Sequence, residues 1–207
     1  MILVAVLLLS GLALVAVEGV GYVRGRYNSA FWRLPLDEKL DHVADHGRDW
    51  WWVSIWSLVG LFSMTAGIFG FANLLADAGE PVLASVALGG YVVALMAWVL
   101  GLTVQTAGVS RAASQRVETG VTPAWIHPLW QGAYLAEGVW VIGTNLAYAV
   151  MGIAILGSGL VADWAGWVAL VGGVATALVV VVVRDGFPQL GILIPAIIGV
   201  ALLIEAI

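Results

Sequence analysis

"VSIWSLVGLFSMTAGIFGFA", residues 53–72, is a run of 20 residues without a charged side chain. Roughly 20 apolar residues in an α-helix cross the hydrocarbon core of a bilayer, so this run predicts a transmembrane helix. Similar runs cover 2–17, 82–104, 138–156 and 164–183. The chain is 62% hydrophobic with a mean hydropathy of +1.02, more apolar than a water-soluble domain. The sequence therefore predicts an all-α polytopic membrane protein.

We expect six transmembrane helices that form a bundle in one domain, residues 1–207. Their predicted bounds are about 2–23, 51–73, 81–105, 128–157, 163–183 and 187–207. The longest connection, 24–49, joins the first helix to the second.

Lys and Arg residues fall in alternate connections. Five lie in the first connection, Arg111 and Arg116 in the third and Arg184 in the fifth, while the second and fourth hold none. Because basic residues are enriched in cytoplasmic loops, this pattern predicts a cytoplasmic loop at 24–49 and both termini outside the cell membrane. The expected partner is the lipid bilayer. Eight scattered cations and a net charge of -5 argue against a nucleic-acid partner.

The segment "DHVADHGRDWWW", residues 41–52, concentrates polar and aromatic residues just before the second helix. Pro35 suits a first helical turn, and Leu36, Leu40 and Val43 follow at helical spacing. We expect a short amphipathic helix on the inner membrane surface. Its polar face would carry Glu38, Asp41, His42, Asp45, His46 and Asp49. Trp50, Trp51 and Trp52 are predicted to form a collar at the lipid headgroups, where Trp is enriched.

His42 and His46 are candidate metal ligands. Side chains four residues apart share one face of a helix, so two imidazoles could bind the same ion. Neighbouring Asp residues could add oxygen ligands, whereas the missing Glu of an H-E-x-x-H motif argues against a zinc hydrolase. A solvated helix face and a pH-sensing pair are the alternatives.

Glu137 is the acidic residue deepest inside a predicted span, about 10 Å from the inner surface at about 1.5 Å per residue. An ionised carboxylate facing lipid at that depth is costly, so Glu137 should face protein or water, or be protonated. A helical wheel puts polar and aromatic residues on its side of the helix and aliphatic residues opposite. The predicted ligand-binding set is Glu137, Tyr134, Trp140, Thr144, Asn145 and Tyr148, with Glu18 and Gln105 from neighbouring helices. The alternative is a structural role, in which Glu137 bonds to a Tyr, Ser or Gln of a neighbouring helix and Glu18 reaches the interface near Arg24.

Three functions fit these features. The polar face could bind or transport a proton, a cation or a small amphiphile. It could instead pack against partner helices, in a homo-oligomer or as an accessory subunit of a larger membrane complex. It could also belong to an intramembrane enzyme that acts on a lipid-like substrate, with Glu137 as general acid and base. The sequence indicates no particular cofactor, and zero cysteines exclude thiolate chemistry.

Overall fold

The computed structural model describes the backbone of residues 1–23, 31, 33–183 and 190–207, with side chains for these residues except 14–23, 190 and 191. The described residues are almost entirely helical and contain no strand, which confirms the all-α prediction. The helices are α1 (Ile2–Val23), α2 (Leu36–Asp45), α3 (Gly47–Asp77), α4 (Pro81–Thr103), α5 (Val109–Thr119), α6 (Ile126–Ser158), α7 (Asp163–Val183) and α8 (Leu190–Glu205). A π-helical turn, Val104–Gly108, joins α4 to α5.

Four described helical stretches are long and apolar enough to cross a bilayer. They are Gly47–Asp77, Pro81–Thr119, Ile126–Ser158 and Asp163–Val183. Two shorter apolar stretches, Ile2–Ala13 and Ile192–Glu205, lie towards the two ends of the chain. These lengths support insertion into a membrane, while the full set of six spans stays a prediction.

The long helices pack antiparallel, with α6 between α4 and α7. Gly101 of α4 lies against Ala133 of α6, and Gly90 lies against Ala147, so the two helices run in opposite directions. On the other side of α6, Gly152 packs against the backbone of α7. Small residues let helix backbones approach closely, which drives association where surrounding lipid is as apolar as the side chains.

Helix α1 packs against α3 and α8 in the same manner. Gly67 of α3 and Gly199 of α8 both lie against Leu8 of α1. A buried cluster that includes Leu8, Phe71, Tyr91 and Tyr148 links this group to α4 and α6. The two groups therefore share one apolar core.

The antiparallel order separates the charged residues into two ends of the bundle. The described cations lie on α2, on α5 or close to α2 in the chain, and α2 contacts α5. They are Arg33, Lys39, Arg48, Arg111 and Arg116. We call this the α2 end; the opposite end carries Asp77, Glu80, Asp163 and Glu205. The segregation agrees with the charge pattern of the loops, although which end faces the cytoplasm stays a prediction.

Helix α2 is amphipathic, as predicted. Leu40 and Val43 are buried against α5 and the start of α6, whereas Glu38, Asp41 and Asp45 are exposed. Its position on a membrane surface stays a prediction.

Some helices of the structure extend beyond the predicted spans. Helix α3 begins at Gly47 rather than 51, because the chain turns only at His46 between α2 and α3. The predicted third helix ended too early, since the π-turn lets the helix continue to Thr119, where left-handed Gly120 (φ 73°) ends it. The predicted start of the fourth helix at 128 lies two residues inside α6.

The predicted collar of three Trp is also incomplete. Trp51 and Trp52 are exposed, but Trp50 packs into a buried cluster between α2 and α5. Successive helical residues point about 100° apart, so three adjacent rings cannot share one environment.

Candidate functional site

The polar face of α6 is turned towards the protein interior. Trp140, Thr144, Asn145 and Tyr148 are all buried. Aliphatic residues on the other side are exposed, among them Leu135, Val139 and Leu146. These four residues face inward, as the helical wheel predicted, whereas Glu137 is half-buried and Tyr134 is exposed. The binding of a ligand by this face stays a prediction.

Some polar atoms of this face are satisfied by the helix itself. Thr144 Oγ1 donates to the carbonyl oxygen of Trp140 at 2.8 Å, and Asn145 Nδ2 donates to that of Val141 at 2.8 Å. Three other buried atoms, Trp140 Nε1, Asn145 Oδ1 and the Tyr148 hydroxyl, have no hydrogen-bond partner among the described residues. We call them the unpaired polar atoms of α6.

Hydroxyl groups from two further helices lie near Tyr148. The ring centroids of Tyr148 and Tyr91 of α4 are 6.1 Å apart. The Tyr91 hydroxyl shares a hydrogen bond of 3.1 Å with Thr65 Oγ1 of α3. At about 1.5 Å per residue, Tyr91 lies about 15 Å along α4, roughly half the thickness of a hydrocarbon core. The polar groups thus meet deep within the bundle.

Towards the α2 end, an indole pair continues this face. The rings of Trp98 and Trp140 stack with their centroids 4.6 Å apart. Gln105 is buried in the π-turn, which contacts α3 and α6. A π-turn inserts one residue into a helix and is frequent at functional sites. Nothing in the spacing of the sequence predicted it.

The residues nearest the α2 end are less enclosed. Glu137 is half-buried. Tyr134 is 45% exposed and packs edge to face against Trp130, with ring centroids 5.5 Å apart. Tyr134 therefore lies at the rim of the face, not among the buried residues as its predicted role would require. The side chain of Glu18 on α1 lies outside the described residues, so its pairing with Glu137 stays a prediction.

The two histidines of α2 are adjacent, with ring centroids 4.6 Å apart. His46 Nδ1 lies 3.0 Å from the carbonyl oxygen of His42, and because a carbonyl only accepts, Nδ1 carries the proton. Among the described residues, no three His, Cys, Asp or Glu side chains come together in a group that could hold a metal ion. The metal site is an untested prediction.

An ion pair links α2 to α5. Arg116 donates from Nε and Nη2 to the two carboxylate oxygens of Asp41, at 2.5 and 2.9 Å. Arg116 Nη1 also donates to Thr122 Oγ1, which donates to Asp37 Oδ1, each at 2.6 Å. The bond from Arg116 lowers the pKa of Asp41. The contribution of the Asp41–Arg116 ion pair to the packing of α2 against α5 is therefore present above the ordinary carboxyl pKa. It is lost as the pH falls through the lowered pKa of Asp41.

Lys39, on the buried side of α2, is only 4% exposed. Its Nζ lies 5.1 Å from the centre of the Trp130 ring, a cation–π contact. Burial lowers the pKa of Lys39, and no neighbouring charge offsets that effect.

No family model, no curated protein and no solved structure matches the chain. Its function therefore has to be inferred from its own residues and geometry.

Sequence reasoning missed the burial of Lys39. Helical spacing contained a signal, because residues 36, 39, 40 and 43 follow the spacing of a buried helix face. A lysine at such a position has to bury its stem or find an anion.

Proposed function

We propose that this chain is a multi-pass cell-membrane protein that binds or transports a proton, a cation or a small amphiphile at the polar face of α6. The four long apolar helices support its place in a membrane. With the cations at the α2 end, the positive-inside rule favours a cytoplasmic α2 end and external termini.

The unpaired polar atoms of α6 carry the proposal. A buried donor or acceptor without a partner costs about 1–3 kcal/mol. Three such atoms lie within nine residues of one helix, and the Tyr148 ring is a neighbour of the Tyr91 ring. A water molecule or a ligand that supplies the missing hydrogen-bond partners would therefore be stabilised there.

The chemistry of these atoms limits which species could bind to them. The indole N–H of Trp140 only donates, the Asn145 oxygen only accepts, and the Tyr148 hydroxyl does both. A bare metal cation needs oxygen acceptors throughout its shell. The mixed set favours a proton carried by water, or the polar group of an amphiphile, over a metal cation.

Glu137 is the group we assign to proton exchange. Its carboxyl is the titratable acid on this face, and it is half-buried at the end nearer α2. A carboxyl that is only half-buried can take up and release a proton, which a fully enclosed one could not.

Proton flux into vesicles tests the proposal. The full chain is reconstituted into phosphatidylethanolamine and phosphatidylglycerol vesicles that contain a pH-sensitive dye, and a potassium diffusion potential is imposed. We expect faster proton entry than in protein-free vesicles, and a reduction of at least about tenfold in Glu137→Gln, because the amide cannot exchange a proton.

Glu118→Gln is the matched control, because Glu118 is exposed on α5 and its loss should leave flux unchanged. A second experiment tests the binding of an amphiphile by measuring how far octylamine shifts the unfolding midpoint. The ammonium group of octylamine can pair with the Glu137 carboxylate. A flux equal to that of protein-free vesicles, together with the same octylamine shift in wild type and Glu137→Gln, would overturn the proposal.

A further inference from the structure

Lys39 combines features that an ordinary surface lysine lacks. It is the single lysine of the chain. Its side chain is almost wholly buried, between α2 and the Trp130 ring of α6. Lysine usually keeps its ammonium group in water, and a buried charge needs a partner.

The acids nearest in sequence do not provide that partner. Glu38, the residue next to Lys39, is exposed and points about 100° away from it around the helix, whereas Lys39 is buried. Asp37 and Asp41 are two residues away on either side, which places them about 160° around the helix from Lys39. Both are bound on that other side, by Thr122 and Arg116. No ion pair of Lys39 occurs within the described part of the chain.

The Trp130 ring offsets only part of the missing charge. A cation–π contact attracts the ammonium through the ring quadrupole but supplies no counter-charge. Burial lowers the pKa of Lys39, since desolvation disfavours its charged form. The 4% of Lys39 that stays exposed is where an anion from outside would have to reach it.

We propose that Lys39, beside the Trp130 ring, binds the phosphate of an anionic membrane lipid. Exposed Trp51 and Trp52 at the same end mark a level typical of headgroups, where lipid phosphates are the most abundant anions. The site adjoins the rim of the polar face of α6 through the contact of Trp130 with Tyr134, but it does not depend on the function proposed for that face.

Lipid binding to the purified full chain tests the site. Native mass spectrometry in a mild detergent compares phosphatidylglycerol with phosphatidylcholine of the same acyl chains. We expect wild type to prefer phosphatidylglycerol and Lys39→Met to bind it about fivefold or more weakly, because methionine keeps the apolar stem without the charge. Lys39→Arg should retain binding, and Arg48→Gln, which removes an exposed cation, should change it little.

The single lysine also allows a test without mutation. The rate of acetylation of Lys39 by an amine-selective reagent is followed by peptide mass spectrometry, with phosphatidylglycerol, phosphatidylcholine or inorganic phosphate added to the wild-type protein. We expect phosphatidylglycerol alone to slow the reaction severalfold, since a bound phosphate covers the amine.

Equal binding by wild type and Lys39→Met, or an acetylation rate indifferent to phosphatidylglycerol, would overturn the proposal. Equal protection by inorganic phosphate would show a site for a free anion and would overturn the assignment to lipid. If Lys39→Met fails to fold, the acetylation experiment decides the question. Neither result bears on proton flux through the α6 face.

Discussion

Tyr91 and Tyr148 show how the partner of a side chain determines its contribution. Both are buried and their rings are neighbours, but Tyr91 bonds to Thr65 while the Tyr148 hydroxyl has no partner among the described residues. Removing a hydroxyl that has a partner leaves that partner without its hydrogen bond. Removing an unpaired hydroxyl leaves no other group unsatisfied.

The two tyrosines should therefore differ in a stability measurement. In detergent without added ligand, we expect Tyr91→Phe to lower the free energy of unfolding by about 0.5–1.5 kcal/mol and Tyr148→Phe to raise it by up to about 1–3 kcal/mol, because the unpaired hydroxyl is removed. Denaturant unfolding followed by circular dichroism measures both. An equal loss in the two variants would mean that the Tyr148 hydroxyl is already bonded.

At the scale of elements, the interface of α6 and α7 depends on glycine. A methyl group on Gly173 would overlap the carbonyl oxygen of Asn145 and come within 3.0 Å of the Ala149 nitrogen. The neighbouring Gly172 faces the Ile194 side chain, whose nearest atom would lie at 3.7 Å, an ordinary contact. The two glycines thus differ in what a side chain would meet.

We expect Gly173→Ala to destabilise the protein by about 1–3 kcal/mol, because the backbones of α6 and α7 must separate. Gly172→Ala, the matched control on the same helix, should be neutral or slightly stabilising, since alanine favours a helix more than glycine does. Unfolding midpoints of the two purified variants give the comparison. Equal midpoints would show that the helices can move apart at little cost.

At the scale of the whole molecule, the antiparallel bundle predicts which residues lie on the same side of the membrane. Asp77 and Asp163 lie at one end and Arg33 and Arg111 at the α2 end, all four exposed. The chain has no cysteine, so single cysteines can be introduced without background.

We expect a membrane-impermeant maleimide to label Asp77→Cys and Asp163→Cys in intact cells, and Arg33→Cys and Arg111→Cys only after permeabilisation, because basic ends stay in the cytoplasm. Labelling of Asp77→Cys and Asp163→Cys from opposite sides would contradict the bundle. The reverse pattern for all four would contradict only its orientation.

Local properties of the chain were readable from its sequence. Apolar runs too long for a soluble protein predicted the helices, and the period of about 3.6 residues predicted which side of α6 is buried. The same period predicted the amphipathic helix α2. These features depend on the order of side chains along one helix, and that order is the sequence itself.

Contacts between distant segments needed the tertiary structure. Three contacts join residues of different helices: Thr65 with Tyr91, Lys39 with Trp130, and Gly173 with Asn145. The separation of two helices along the chain does not indicate which of them pack side by side. The π-turn that carries Gln105 likewise leaves no mark in the residue spacing. The sequence determined that this chain forms apolar helices with a polar face on α6. Only helix packing decided which polar atoms stay unpaired, because a hydrogen bond requires two groups within about 3.5 Å and sequence spacing measures distance only along one helix.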